Sequence, residues 1–299
     1  MSFAAETKAE LAEIRPKSAC CRLAELYGML EGGHAFTAQE ISLQTEHQAV
    51  AEAYRQQVQS LLPSEHTVQC ETHARRGGSY TVRVAQEDVP FVLETFGHEA
   101  GSSVRINRAN LECEQCAAAY LRGAFLVCGA VTNPETDYHL EFCLPYYNLS
   151  RDFLNVLSEC GLHGKYICRK GNHIIYFKES EQIEDCLTLM GATNACLELM
   201  NVKVIKDIRN QANRIANCEN ANIDKVVAAA SEQRRAIETL KKSGAFSALS
   251  EDLQELAELR LQNPEASLRE LGEMLTKPVS RSGVNHRLQR LIELANREK

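Results

Sequence analysis

A gapless self-match at an offset of 95 residues constrains the first two thirds of this chain more than any other feature. Cys21-Arg22-Leu23-Ala24-Glu25-Leu26-Tyr27-Gly28-Met29-Leu30 aligns with Cys116-Ala117-Ala118-Ala119-Tyr120-Leu121-Arg122-Gly123-Ala124-Phe125. The stretches downstream of the two copies share one rhythm. After the first come strand-like runs around Ala35 and at 41–45, a helix-period stretch at 49–62, strands at 67–72 and 80–84, and a helix near 90–96. After the second come 130–132 and 138–142, a helix at 146–160, strands at 166–169 and 173–177, and a helix at 179–190. Alternation of apolar and polar residues marks the strands, and 3.6-residue spacing marks the helices. Each half reads αββαββα, so two halves make a pseudo-symmetric α+β domain.

Ala24 and Gly28 in one repeat helix, and Ala119 and Gly123 in the other, fall four apart on one helix face. Gly inside a helix costs roughly 1 kcal/mol against Ala, which close packing of two helix backbones would offset. The natural partner of each helix is its counterpart in the other repeat.

The run Leu121-Arg122-Gly123-Ala124-Phe125-Leu126-Val127-Cys128-Gly129 resembles a degenerate LAGLIDADG motif, the dimer-helix signature of one class of homing endonucleases. Over nearly its whole length the chain resembles the WhiA family of Gram-positive bacteria. The most specific stretches are 119–129, 209–222 and 263–291. The resemblance implies a LAGLIDADG-type domain fused to a helix-turn-helix, in a regulator of sporulation, cell division and chromosome segregation.

LAGLIDADG nucleases hold divalent metal with the last acid of each motif. Mg²⁺ requires hard oxygen ligands, and phosphodiester cleavage needs the metal to activate water and to neutralise the leaving oxygen. Here that position is Cys128 in the second repeat and Gly33 in the first, with Glu31 the nearest acid. No Asp or Glu occurs between Glu114 and Glu135. A thiol is too soft for Mg²⁺, so the expectation is a front domain with no catalytic residues and no cofactor.

Cys113-Glu-Gln-Cys116 is a CxxC pair. Zinc needs four ligands, and a second pair is not evident, although Cys20-Cys21 occupies the matching repeat position. The expectation is therefore buried reduced thiols and no structural metal. The nine histidines are scattered without ligand spacing, and Gly32-Gly33 and Gly77-Gly78 read as turns. Arg75, Arg76, Arg83, Arg169 and Lys170 are strand-borne bases that would line a positive groove or remain solvated loop charge.

Forty-four per cent apolar content suits a protein with two cores, and no run is long enough to cross a bilayer. The first 14 residues lack the apolar centre of a signal peptide, and the twelve cysteines then point to a reducing cytoplasm. The net charge of −7 argues against nucleic acid until it is divided along the chain. Residues 1–202 carry −10, 203–242 carry +4, 243–266 carry −4 and 267–299 carry +3. Positive charge is concentrated in two C-terminal segments.

From Asn201 the texture changes. Residues 203–216 place Ile205, Ile208, Ala212 and Ile215 at helical spacing. The Asn-rich run 217–222 reads as a break, because Asn favours caps and turns. A long helix is expected at 223–242, with Ile223, Val227, Ala230, Ile237 and Leu240 facing a core. The resulting division is a LAGLIDADG-like domain at 1–200, a linker at 201–221 and an all-α helix-turn-helix domain at 222–299.

The last fifty residues carry the clearest chemistry. A helix at 252–262 ends at Asn263-Pro264, because Pro lacks a donor and restricts its predecessor. Ser267-Leu-Arg-Glu270 is a capping box that opens a short helix. Thr276-Lys-Pro-Val279 is the turn, and Ser280 caps a final helix with Val284, Leu288 and Leu291 on its inner stripe. Opposite that stripe lie Arg281, Ser282, Asn285, His286, Gln289 and Arg290, types that pair with base edges or phosphates. Lys277 and Arg287 are suited to phosphates.

The sequence thus points to a DNA-binding transcriptional regulator, cytoplasmic and associated with the nucleoid. Its partner is double-stranded DNA, and no membrane contact is expected. Two alternatives stand beside it: a metal-dependent endonuclease, and an adaptor whose acidic domain acts on a sigma factor.

Overall fold

The computed structural model describes residues 2–73, 78–99 and 101–297, so Arg75, Arg76 and Gly77 lie outside the described residues. Packing divides the chain into residues 1–206 and 207–299.

In the first unit a leading helix, α1 (Phe3–Glu13), precedes two copies of one motif. The first copy is α2 (Ala19–Glu31), β1 (Ala35–Phe36), β2 (Ile41–Thr45), α3 (Gln48–Leu61), β3 (Gln69–His73), β4 (Ser79–Arg83) and α4 (Val89–Thr95). The second is α5 (Cys116–Cys128), β5 (Gly129–Val131), β6 (Leu140–Leu144), α6 (Tyr147–Glu159), β7 (Lys165–Arg169), β8 (Asn172–Phe177) and α7 (Ser180–Met190). The expected αββαββα order is present twice. Each copy builds a four-stranded antiparallel sheet, in the orders β1-β2-β4-β3 and β5-β6-β8-β7. Lys170 and Gly171, both with positive φ, close the two-residue β7–β8 turn, as the right-handed twist of a tight hairpin requires.

The strands alternate as their sequence does. Leu140, Phe142 and Leu144 of β6 are buried while Glu141 and Cys143 between them are not. Buried Leu26, Tyr27, Leu30, Tyr120, Phe125 and Leu126 of the paired helices join these strands in one core. Each fully buried side chain of this kind contributes about 1.5–3 kcal/mol.

The expected break at 217–222 does not form. Helix α8 runs unbroken from Thr193 to Ser243, 51 residues. The stretch contains neither Gly nor Pro, and Asn costs a helix only about 0.7 kcal/mol per residue. The stops lie outside the helix, at Gly191 before it and Gly244 after it, both with positive φ. A second correction concerns its inner face. Ala230, Ile237 and Leu240 are buried as expected, but Ile223 and Val227 stay about 60% exposed. The core of the second unit forms only along the last part of the helix, where Ala236, Ile237 and Leu240 share it with α9 (Glu251–Gln262), α10 (Leu268–Met274) and α11 (Arg281–Arg297).

Candidate nucleic-acid interface

Helices α10 and α11 and the turn between them are held at both ends by local chemistry. Ser267 and Glu270 form the reciprocal capping box, with Glu270 Oε2 accepting from Ser267 N at 2.7 Å. Gly272 allows α10 to touch the turn. A Cβ there would stand 2.3 Å from the Val279 carbonyl oxygen, and Val279 N donates to Gly272 O at 3.1 Å. Thr276 donates its amide and its hydroxyl to Glu255 Oε1 of α9, at 2.6 and 2.7 Å. The backbone amide holds the Glu255 carboxyl below its ordinary range. Ser280 accepts from Gly283 N at 3.3 Å and opens α11.

With Val284, Leu288, Leu291 and Ala295 in the core, the opposite face of α11 is solvated. Arg281, Ser282, Asn285, His286, Gln289 and Arg290 are all exposed on it, and Lys277 is exposed in the turn. Arg281 and Lys277 make no ion pair among the described residues. Arg290 meets Glu293 at 3.3 Å, and the half-buried Arg287 meets Asp252 of α9 at 3.1 Å. Exposed pairs of this kind are worth about 0–1 kcal/mol, so a phosphate can compete for either guanidinium.

Sequence reasoning overlooked Arg260. It is 3% exposed, donating to Gln233 Oε1 of α8 at 2.9 Å and to the Ala266 carbonyl at 2.7 Å, and so ties α8 and α9 to the chain leading into α10. Its place seven residues after Leu253 on the apolar stripe was a signal of burial.

In the first unit, α2 and α5 pack backbone to backbone. A Cβ on Gly28 would lie 2.1 Å from the Tyr120 carbonyl oxygen, and one on Gly123 would lie 1.9 Å from that of Glu25. Arg122, the Arg of the degenerate motif, is buried in an ion pair with Glu25 and reaches the Met190 carbonyl at 3.2 Å. Gln57 donates to the other Glu25 oxygen at 2.8 Å.

The ends of these helices are where a LAGLIDADG nuclease holds metal. Here Gly32 lies against Cys128, whose thiol is pushed up to about 12 by burial. Lys8 of α1 is close enough to interact with that thiol, and burial lowers its ammonium to about 8. Glu31 is fully buried instead of facing a groove. Tyr120 donates to it at 2.8 Å, and burial pushes its carboxyl up to about 8. A neutral carboxyl, a neutral thiol and an ammonium make a poor seat for a dication.

The strand-borne bases are interleaved with acids. Arg83 lies 3.7 Å from Glu40, while Arg169 and Lys170 are exposed at the β7–β8 turn. Glu71 and Glu141 belong to the same two sheets.

The fold brings Cys20-Cys21, noted in the sequence only as the matching repeat position, together with Cys113 and Cys116 as the second cysteine pair. Cys21 and Cys116 occupy equivalent repeat positions, with their sulfurs 3.9 Å apart. Cys113 lies 3.5 Å from Cys21, 3.7 Å from Cys20 and 3.4 Å from Cys116.

Comparison with known proteins agrees with both halves of this description. Residues 117–209 match the family model of the WhiA LAGLIDADG-like domain, and residues 212–295 match that of the WhiA C-terminal HTH domain. The chain is 39% identical over 306 aligned positions to the "Probable cell division protein WhiA" of Heliobacterium modesticaldum, covering 99% of this chain and 96% of that one. Its counterpart in Desulforamulus reducens is also 39% identical, with the same coverage. Among solved structures, full-length DUF199/WhiA from Thermatoga maritima aligns over 99% of both chains, with a TM-score of 0.60 and 24% identity, a likeness of fold.

Proposed function

The chain belongs to the WhiA family, and from that premise we propose that it is a sequence-specific, DNA-binding transcriptional regulator acting in the control of cell division. The observation that carries this reading is the solvated face of α11. Six polar or basic side chains lie opposite a buried apolar stripe, behind a turn pinned to α9 and α10. In a helix-turn-helix the second helix enters the major groove with its N-terminal residues at the base edges. Arg281, Ser282 and Asn285 take that role, with His286, Gln289 and Arg290 further along the helix. Lys277 and Arg287 meet phosphates.

The first unit is proposed to have no nuclease activity and to modulate the DNA reader. Cys128, Glu31 and Lys8 at the helix ends support this reading. Double-stranded DNA as the proposed partner puts the site of action at the nucleoid. Among the described residues no helix is long and apolar enough to cross a membrane.

The test is selection of genomic fragments by the full chain, followed by binding titrations on the recovered sites and on random DNA over a range of salt. Preference for a shared motif, with affinity falling linearly in log salt, is the expected result. Equal weak binding to every fragment would defeat the regulator reading and favour an adaptor.

A further inference from the structure

We propose that Cys20, Cys21, Cys113 and Cys116 bind one zinc ion that staples together the N-terminal ends of the two repeat helices. Zn–S bonds are about 2.3 Å, so the sulfurs of a tetrahedral ZnS₄ centre stand ~3.8 Å apart. Four of the six separations here are 3.4, 3.5, 3.7 and 3.9 Å, and all four sulfurs lie within 4.8 Å of one another. That spacing is too long for a disulfide, whose sulfurs are about 2.05 Å apart. It is the spacing of one mononuclear ion.

A backbone turn already holds the CxxC pair together. Cys116 N donates to Cys113 O at 2.9 Å, which closes the CxxC turn, and Cys113 N points at Cys116 Sγ, 3.5 Å away. Ser18 caps α2 by accepting from Cys21 N, which places Cys20 and Cys21 in its first turn, while Cys116 is the first residue of α5. Both helices therefore begin at the sulfur cluster. Cys21 and Cys116 are buried, and Cys113 is exposed, which gives an ion a path in. Zn²⁺ binding releases the four thiol protons to solvent and leaves a tetrathiolate with no change of oxidation state.

The position accounts for the arrangement. Cys21 and Cys116 are related by the internal repeat, so the ion sits where the two halves of the chain begin their shared helix pair. It ties residues more than ninety positions apart. Closing so long a loop restricts the unfolded chain, so metal binding stabilises the first unit.

The test uses the full chain without a polyhistidine tag, purified under reducing conditions and without chelator. Elemental analysis is expected to give one zinc per chain. Cobalt(II) exchanged into the same protein should show the intense visible absorption of a tetrahedral tetrathiolate, which needs no variant to interpret. Cys113→Ser and Cys20→Ser/Cys113→Ser, at exposed or half-buried positions, should lose the ion and unfold at lower temperature. Cys70→Ser, at an exposed cysteine on β3, should keep it. Metal-free protein that takes up no cobalt, zinc that survives both variants, stoichiometric iron or copper, or a disulfide within the four cysteines would each overturn the proposal.

Discussion

Gly28 lies against the carbonyl of Tyr120 so closely that a Cβ would stand 2.1 Å from its oxygen. The relation is repeated by symmetry. Gly123 is Gly28 advanced by the repeat offset of 95, and it lies against the carbonyl of Glu25, the counterpart of Tyr120. The match in sequence and the match in space thus describe one pseudo-two-fold packing of α2 on α5. Because real Cβ atoms do not approach backbone at such distances, Gly28→Ala must push the helices apart. Ala alone would gain roughly 1 kcal/mol in helix propensity, whereas overpacking costs typically 1–3 kcal/mol and at backbone contacts more. Gly28→Ala and Gly123→Ala should both lower the urea midpoint followed by circular dichroism. A raised midpoint would mean that the helices are free to separate.

Glu31 gives the front unit a pH dependence. Burial raises its carboxyl from an ordinary 4.5 to about 8, beside Tyr27, Tyr120 and His98. A raised folded value means that the contribution is complete below pH 4.5 and is lost as pH rises through 8. At about 1.4 kcal/mol per unit, the loss is on the order of a few kcal/mol. His98, lowered by burial, works in the opposite sense below 6.5. Between pH 6.5 and 8 Glu31 lowers stability as pH rises, while Lys8, lowered to about 8, begins to work in the opposite sense at the upper end. The difference between wild type and Glu31→Gln removes such shared contributions, so wild-type stability should fall across this window relative to Glu31→Gln. Parallel profiles for the two proteins would show that Glu31 is ionised in the fold.

Much of this was legible in the sequence, and the reasons are local. The strands alternate, Ser267 and Glu270 sit three apart before an apolar run, and α11 carries its core stripe at 284, 288 and 291. Each is a short-range pattern that one element imposes on itself. Of the features that escaped reading, one was a weak local preference given too much weight, and the others depended on distant partners. The helical course of 217–222 is set by the absence of any Gly or Pro between 193 and 243, which outweighs a weak local preference of Asn. The exposure of Ile223 and Val227 depends on where α9 and α11 stop covering α8. The meeting of Cys20 and Cys21 with Cys113 and Cys116 follows from the packing of two helices 95 residues apart; the repeat offset hinted at it by matching Cys21 with Cys116, but the spacing within either pair did not show that the two would touch.

The first unit should not cut DNA. In Mg²⁺ or Mn²⁺ the full chain should leave supercoiled plasmid intact, because the helix ends hold Cys128 and a neutral Glu31 where two carboxylates would be needed. Nicking that requires the metal and disappears in Glu31→Gln would contradict this.

The labour of α11 should be divided along its length. Asn285 is exposed one turn into the helix, beside Arg281 and Ser282, at the end that approaches base edges. Lys277 lies outside the helix, in the turn, where a DNA backbone would pass. Asn285→Ala should therefore weaken the preferred site by roughly 1–3 kcal/mol and leave random DNA almost unchanged, since a side chain that reads a base contributes nothing where that base is absent. Lys277→Ala should weaken both DNAs alike and reduce the log–log salt slope by about one, the signature of one lost phosphate contact. Neither residue belongs to the core, so both variants should unfold with the wild-type midpoint, and changes in binding can be read as contacts. Titration of both variants on both DNAs at several salt concentrations separates the two roles. Equal loss by Asn285→Ala on specific and random DNA would make it a positioning contact and would move base reading to Arg281 or Gln289. If neither substitution had any effect, α11 would not be the reader, and the DNA contact would have to be sought along the basic stretch 203–242.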